Sequence, residues 1–260
     1  MTATTVDVWL IDTDLPAPAL ARLQALLDGD ERRRLDTIAA ASRRRRFVAA
    51  HGALRVIVGD RLGIPPQRLA WRRGRHGKPE LAEPAAPAEP AQRVEPAQPA
   101  EPARPAAVLQ VNLSHSGDLA LVAVADRRPV GVDIQRLPLR LDPLRLAARY
   151  FRDPETRYVA EAADPAVRAE RFAQLWARKE ACVKAAGGRL AHGLTLPVHP
   201  AGADTGGPDG AGVLVRDPVG ALPGDYVVRD VPAPDGFRAA VALAGADCYE
   251  VRRHRWAGAA

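Results

Sequence analysis

Phe172 to Gly188 reads FAQLWARKEACVKAAGG, and this stretch organises the chain. Phe172, Leu175, Trp176, Val183 and Ala186 recur at the three-and-four spacing of a buried helical face, and Gly187-Gly188 supplies a stop. Glu180 and Lys184 are one turn apart and neighbours on the helix surface, with Trp176 one turn earlier on the same row. A Glu/Lys pair at this spacing is most often a surface ion pair. Composition argues otherwise here. Positive charge is carried almost entirely by Arg, and the only lysines are Lys78, Lys179 and Lys184. Two of the three fall in this one helix, as expected where a compact ammonium is needed rather than a planar fork.

At 260 residues the chain can bury a substantial core in one large unit or two smaller ones. A net charge of +6 points to a polyanionic partner, whether nucleic acid, a nucleotide-like ligand or an acidic protein. Aromatic residues are sparse at 5%, which argues against a stacking platform for single-stranded nucleic acid. No helix-turn-helix or zinc pattern supports a basic nucleic-acid-binding protein. Cys182 and Cys248 offer neither a disulfide framework nor metal spacing, and Cys182 reads as a small core residue. The N-terminus lacks a signal pattern, and the longest apolar run, Leu119 to Ala125, is too short to span a bilayer. The expectation is a reduced, cytoplasmic, soluble protein.

Working outward, Val6 to Asp12 reads as a strand and Ala17 to Leu27 as a helix. Asp30 to Gly63 reads as a long Arg-rich helix, with the basic run Arg43 to Arg46 ahead of its apolar face. Leu69 to Trp71 reads as a short strand before the turn at Gly77-Lys78-Pro79. Residues 83–107 are a loose Glu-Pro-Ala repeat with almost no large apolar side chain, and read as an extended insertion. Leu109 to Ala125 reads as a hairpin whose turn presents Ser114, His115, Ser116 and Gly117, suited to an oxyanion or phosphate. Adjacent Ser and His without a G-x-S-x-G elbow do not make a hydrolase. Pro129 to Arg136, PVGVDIQR, is an apolar strand with Asp133 in its middle. A buried Asp must be paired, protonated or bound to a cation. With Glu180 as a second oxygen ligand, the pair suits Mg²⁺ completed by waters and substrate phosphates.

In order, G-K-P, N-L-S-H-S, G-V-D-I and W-x-x-K-E-A-x-x-K-x-x-G resemble the 4′-phosphopantetheinyl transferases of the Sfp type, over roughly Arg43 to Gly188. The resemblance implies an α+β fold of two pseudo-symmetric α/β halves, residues 1–126 and 127–260, with the active site in the cleft between them. It implies transfer of phosphopantetheine from coenzyme A to a serine of an acyl or peptidyl carrier protein, with release of adenosine 3′,5′-bisphosphate. Residue by residue, Asp133 and Glu180 are similar to the Mg²⁺ ligands (Mn²⁺ being an alternative), and Glu180 to a group that helps deprotonate the carrier serine. Lys184 is similar to the pyrophosphate contact, and Ser114, His115 and Lys179 to further phosphate contacts. Arg46 is similar to the arginine for the 3′-phosphate and Lys78-Pro79 to the adenine-side turn. Where the family usually has D-I-E, this chain has Gln135. A neutral amide still offers an oxygen to a metal or its water, with one negative charge fewer, so a coenzyme A-binding but catalytically weak relative is one alternative, and a basic nucleic-acid-binding protein is the other.

Leu139 to Tyr158 reads as a helix, and Leu139, Leu141, Leu144 and Leu146 as carrier contacts or core. Strands are expected at Leu194 to Val198, Val213 to Val215, Tyr226 to Val231 and Phe237 to Ala244. A monomer is expected, with no nucleic-acid or membrane partner. Residues 252–260 carry no reading.

Overall fold

The apolar row of residues 172–188 belongs to a longer helix, α6 (Pro165–Ala186), whose two ends are written in the sequence. Asp164 caps the start by accepting from the Ala166 amide, and Pro165 takes the first position, where no amide is needed. Gly187 ends it in the left-handed region at φ 65°, with Gly188 N–H donating to the Val183 carbonyl. That wrap satisfies two orphan carbonyls and favours a residue without Cβ.

The structure, a computed structural model, describes residues 4–74, 79–82, 109–138, 141–199 and 212–258. Lys78, Leu139 and the insertion at 83–107 lie outside them. Ten strands and seven α-helices are described, a mixed α+β fold. The strands are β1 (Thr5–Asp12), β2 (Trp71–Arg73), β3 (Pro79–Leu81), β4 (Leu109–Ser116), β5 (Leu119–Asp126), β6 (Val130–Arg136), β7 (Val213–Arg216), β8 (Asp225–Val231), β9 (Phe237–Ala244) and β10 (Glu250–Trp256). The other helices are α1 (Ala17–Leu26), α2 (Gly29–Asp36), α3 (Ala41–Leu62), α4 (Pro143–Tyr150), α5 (Asp153–Ala160) and α7 (Leu190–Gly193).

One four-stranded sheet has the order β10-β1-β5-β4, the other β6-β9-β8-β7, and β2 with β3 forms a separate pair. Alternation along each strand gives each large sheet two apolar faces. The first sheet packs Ile11, Val111, Ala120, Val122 and Val124 against Ala50, Leu54, Ile57 and Val58 of α3. The second packs Tyr226, Val228, Ala240 and Ala242 against Leu175, Ala181 and Cys182 of α6. The remaining faces meet each other, Val6, Val8, Leu121 and Ala123 against Val130, Val132, Ile134 and Val241. The layers therefore run helix, sheet, sheet, helix.

A numerical recurrence runs through the chain. Glu31 of α2 recurs as Glu155 of α5, Arg55 of α3 as Lys179 of α6, and Gly63 as Gly187, each a step of 124 residues (155 less 31, 179 less 55, 187 less 63). α3 and α6 have 22 residues each, and Gly63 and Gly187 both have φ 65°.

Several expected elements differ. Asp30 to Gly63 is two helices, because Asp28 caps α2 through a reciprocal pair with Glu31 and residues 37–40 break the run. Residues 139–158 likewise hold α4 and α5, separated by Phe151 and Arg152 in extended conformation. The short strand near Leu69 starts two residues later, at Trp71. Leu194 to Val198 is not a strand. Its backbone is taken by buried side chains: Leu196 O accepts from Lys179, Val198 O accepts from Arg178, and Val198 N–H donates to Glu155. The last strand, β10, crosses back to lie parallel to β1 and completes the sheet of the first part of the chain. That pairing is long-range, and the run Arg252-Arg253-His254-Arg255 hides it by lacking any apolar alternation.

Candidate active site

Asp133 sits in the middle of β6 with 1% of its surface exposed. Burial at that level demands partners, and it has three. Its Oδ1 accepts from Ser114 Oγ at 2.7 Å and from Lys184 Nζ at 2.5 Å, and its Oδ2 accepts from Gln135 Nε2 at 2.7 Å. Lys184 also donates to Ser114 Oγ at 2.9 Å and lies 3.9 Å from Glu180 Oε2. Two carboxylates from a strand and a helix thus converge on one ammonium.

The closeness has a cause in the strand. A Cβ on Gly131 would lie 2.0 Å from the Ala181 carbonyl oxygen and 2.3 Å from the Ala185 nitrogen. Glycine lets the backbones of β6 and α6 touch, and that contact brings Lys184 over Asp133.

Burial raises the Glu180 pKa above the ordinary carboxylate value. The Asp133 charge raises it further, while Lys184 and a hydrogen bond from Trp176 pull the other way. A carboxylate held in this way accepts a proton more readily than an exposed one.

β4 continues through Ser116, so Ser114, His115 and Ser116 are strand residues rather than the turn, which lies at Gly117-Asp118. The pleat then separates two neighbours. Ser114 is buried in the Asp133 cluster, while His115 is exposed on the opposite side. There, Arg34, Arg43, Arg46, His115 and Ser116 line a recess of about 740 Å³. Desolvation, and then the charges of His51, Lys184, Arg34 and Arg46, lower the His115 pKa below 6.5. Arg46 is held by Asp118 of the hairpin turn at 2.6 Å.

Lys179 does not join this group. Its side chain is 1% exposed, and its ammonium donates to Glu155 Oε2 at 2.6 Å and Leu196 O at 2.5 Å and faces the Phe151 ring. It lies on the core side of α6, so the expected phosphate contact from Lys179 is replaced by a structural ion pair. Pro79 opens β3 and borders a smaller cavity with Trp71, His51 and Glu31. Of the leucines weighed as carrier contacts, Leu144 and Leu146 pack partly into the α6 core, while Leu141 is 60% exposed.

Asn112, Arg34 and Asp118 were not among the residues expected from the sequence. A period-two polar row, Asn112, Ser114, Ser116, within an apolar strand was the available signal for Asn112.

A model of the 4′-phosphopantetheinyl transferase superfamily matches residues 129–209, which include Asp133, Gln135, Glu180 and Lys184. The 4′-phosphopantetheinyl transferase HetI of Nostoc is 33% identical over 186 residues, covering 72% of this chain and 70% of that protein. The 4′-phosphopantetheinyl transferase of Bacillus subtilis is 29% identical over 182 residues, 65% of this chain and 67% of its own length. A phosphopantetheinyl transferase of Thraustochytrium is 29% identical over 202 residues, 73% of this chain and 63% of its own. These alignments reach well beyond the segment that holds the convergent carboxylates, and on their length and identity the chain belongs to the 4′-phosphopantetheinyl transferase superfamily.

Proposed function

We propose that this enzyme transfers the 4′-phosphopantetheine moiety of coenzyme A to a serine of an acyl or peptidyl carrier protein. The observation that carries the proposal is the convergence of Asp133, Glu180 and Lys184 beside a recess walled by Arg34, Arg43, Arg46 and His115. A pyrophosphate with a separate 3′-phosphate needs two cationic places of this kind. The recurrence at 124 residues supports a reading of two pseudo-symmetric halves with the site at their junction.

The reaction breaks one P–O bond and forms another. The carrier serine oxygen attacks the phosphorus that bears pantetheine, and the bond to the adenosine-side phosphate breaks, releasing adenosine 3′,5′-bisphosphate. Lys184 neutralises charge on the pyrophosphate as the bond breaks, which is where positioned cations contribute most. Glu180, with its raised pKa, takes the serine proton directly or through a water. His115 and Arg46 hold the 3′-phosphate in the recess. Ser114 keeps Lys184 and Asp133 in place by donating to the carboxylate while accepting from the ammonium.

The donor set fits a hard divalent cation. Asp133 and Glu180 supply two carboxylates, and Gln135 holds Asp133 from the side. Mg²⁺ takes one or two carboxylates and completes its shell with water and phosphate. Bound there, it would polarise the phosphoryl oxygens.

The test is the intact mass of a carrier protein incubated with this enzyme, coenzyme A and Mg²⁺. A phosphopantetheine mass gain is expected, and none with Glu180→Ala. No gain on fatty-acid, polyketide and peptide-synthetase carriers would overturn the proposal.

A further inference from the structure

β4 and β6 are the facing edge strands of the two large sheets. The backbone of β6 pairs with β9 on one side only. On the other side its amides are met by side chains of β4. Asn112 Oδ1 accepts from Val132 N–H at 2.9 Å, Ser114 Oγ from Ile134 N–H at 3.4 Å, and Ser116 Oγ from Arg136 N–H at 3.0 Å. Every rung spans 20 residues, so the two strands run parallel in one fixed register. The spacing is the pleat itself, since residues two apart face the same way.

The three rungs are not equal. Ser114 makes a long bond to Ile134 and shares its hydroxyl with Asp133 and Lys184. Ser116 meets an amide in an exposed place, where water serves as well. The Asn112 rung is short and dry, with Asn112 7% and Val132 0% exposed. Because Val132 N–H is a donor, the oxygen of the carboxamide must face it, which fixes the orientation of Asn112. Val132 is also the residue immediately before Asp133.

We propose that Asn112 is a positioning residue of the site: by taking the Val132 amide it sets β6 against β4 at the register where Asp133 meets Ser114 and Lys184. The inference rests on the transfer reading for its activity, but not for its geometry. The recess for the 3′-phosphate is built from α2, α3 and the far end of β4, three residues and more beyond Asn112, so loss of this rung is expected to disturb Asp133 before that recess.

The test compares three variants of the full chain. Asn112→Leu keeps the shape and removes the acceptor. Asn112→Asp keeps the acceptor. Asn112→Ser draws it back by an atom. Displacement of a reacting group by about 1 Å costs up to ~100-fold. Asn112→Leu is therefore expected to lose ~10- to 100-fold in kcat and to need several-fold more Mg²⁺, with the KM for coenzyme A within about twofold. Exchange at the Val132 amide, followed by NMR, should quicken at least ~10-fold. Asn112→Asp should restore kcat to within about threefold. Equal losses in Leu and Asp variants, or an unchanged kcat in Leu, would overturn the proposal. If the Leu variant does not fold, the Ser variant decides, and unchanged kcat and Val132 exchange there count against it. Wild-type protein that transfers to no carrier would sink the transfer reading alone. The seam would then stand or fall on Val132 exchange in the Leu and Asp variants.

Discussion

α3 and α6 each run 22 residues, stop on a left-handed glycine and bury one cation against a glutamate of a preceding short helix. In α3 the cation is Arg55, whose fork spreads over Glu31, Asp28 and the carbonyls of Pro66 and Leu69. In α6 it is Lys179, whose single nitrogen serves Glu155 and Leu196. The helices part company beyond that point. One residue after Lys179 comes Glu180, and four later Lys184, whose ammonium lies between Glu180 and Asp133. At the same steps after Arg55 stand Val56, packed beside an apolar cluster, and Asp60. The strands beneath differ in step. Asp7 of β1 comes within 4.0 Å of Arg61 of α3, while the corresponding pair, Gly131 and Ala185, lets two backbones meet. α3 instead brings Arg43 and Arg46 to the recess from its other end. Both helices thus carry a buried clip at one position, and the Glu180, Lys184 and Asp133 cluster forms where a glycine admits the helix.

The sharpest way to break this contrast is at Glu180 and Lys184. Glu180→Gln and Lys184→Ala should each lower transfer by ~10²- to 10³-fold, as for other groups that stabilise developing charge. Melting temperature should move little for Glu180→Gln, whereas Lys184→Ala also leaves the buried Asp133 without its cation and should lower it. Retained activity in either would return the pair to the status of a surface ion pair. Gly131→Ala comes next, since its Cβ would meet backbone that cannot rotate away. We expect poor folding or at least ~10-fold loss of transfer in the folded fraction, from displacement of Lys184. A silent Gly131→Ala would mean that close contact is not what brings the two groups together.

Lys179→Met tests the clip. Removing one partner of a buried ion pair costs about 3–5 kcal/mol, readable as a lower urea midpoint, while kcat per folded molecule should hold. Arg55→Met should behave alike, and His51, 3.2 Å from Glu31, should soften its effect. A Lys179→Met protein of normal stability but no activity would restore Lys179 to the substrate.

His115 supplies a pH test. Its folded pKa lies below 6.5, so as pH falls the unfolded chain takes the proton first. Its contribution to stability is present above about pH 6.5 and is lost as pH falls through the folded value. A phosphate beside the ring reverses the shift. Coenzyme A binding near pH 6 should therefore take up protons, detected by calorimetry in buffers of different ionisation heat. His115→Gln should abolish the uptake. The smallest effect is expected at Gln135, which already holds Asp133 through its amide. Gln135→Glu restores an acid and should lower the Mg²⁺ needed for half-maximal rate by a few fold, and an unchanged requirement would remove Gln135 from the site.

Local order was legible in the chain. The Gly187 stop, the Glu180/Lys184 turn, the buried Asp in an apolar strand and most strand positions follow from spacing and capping, which act over a few residues. The same reasoning misplaced what distant groups settle. Lys179 and Lys184 are alike in sequence, and only the packing of α5 and the 194–198 segment sends one ammonium inward to Glu155 and leaves the other at Asp133. Leu194 to Val198 has a strand's composition, yet buried side chains claim its backbone. Arg252 to Trp256 lacks a strand's pattern, yet β1 offers it an edge. Ser114 and His115 face opposite ways because β5 extends the ladder past them. The sequence by itself determined the α6 stop, most strand positions and the residue types of the site. The tertiary structure decided which charges meet, because a side chain's partner depends on what the fold brings within a few ångströms.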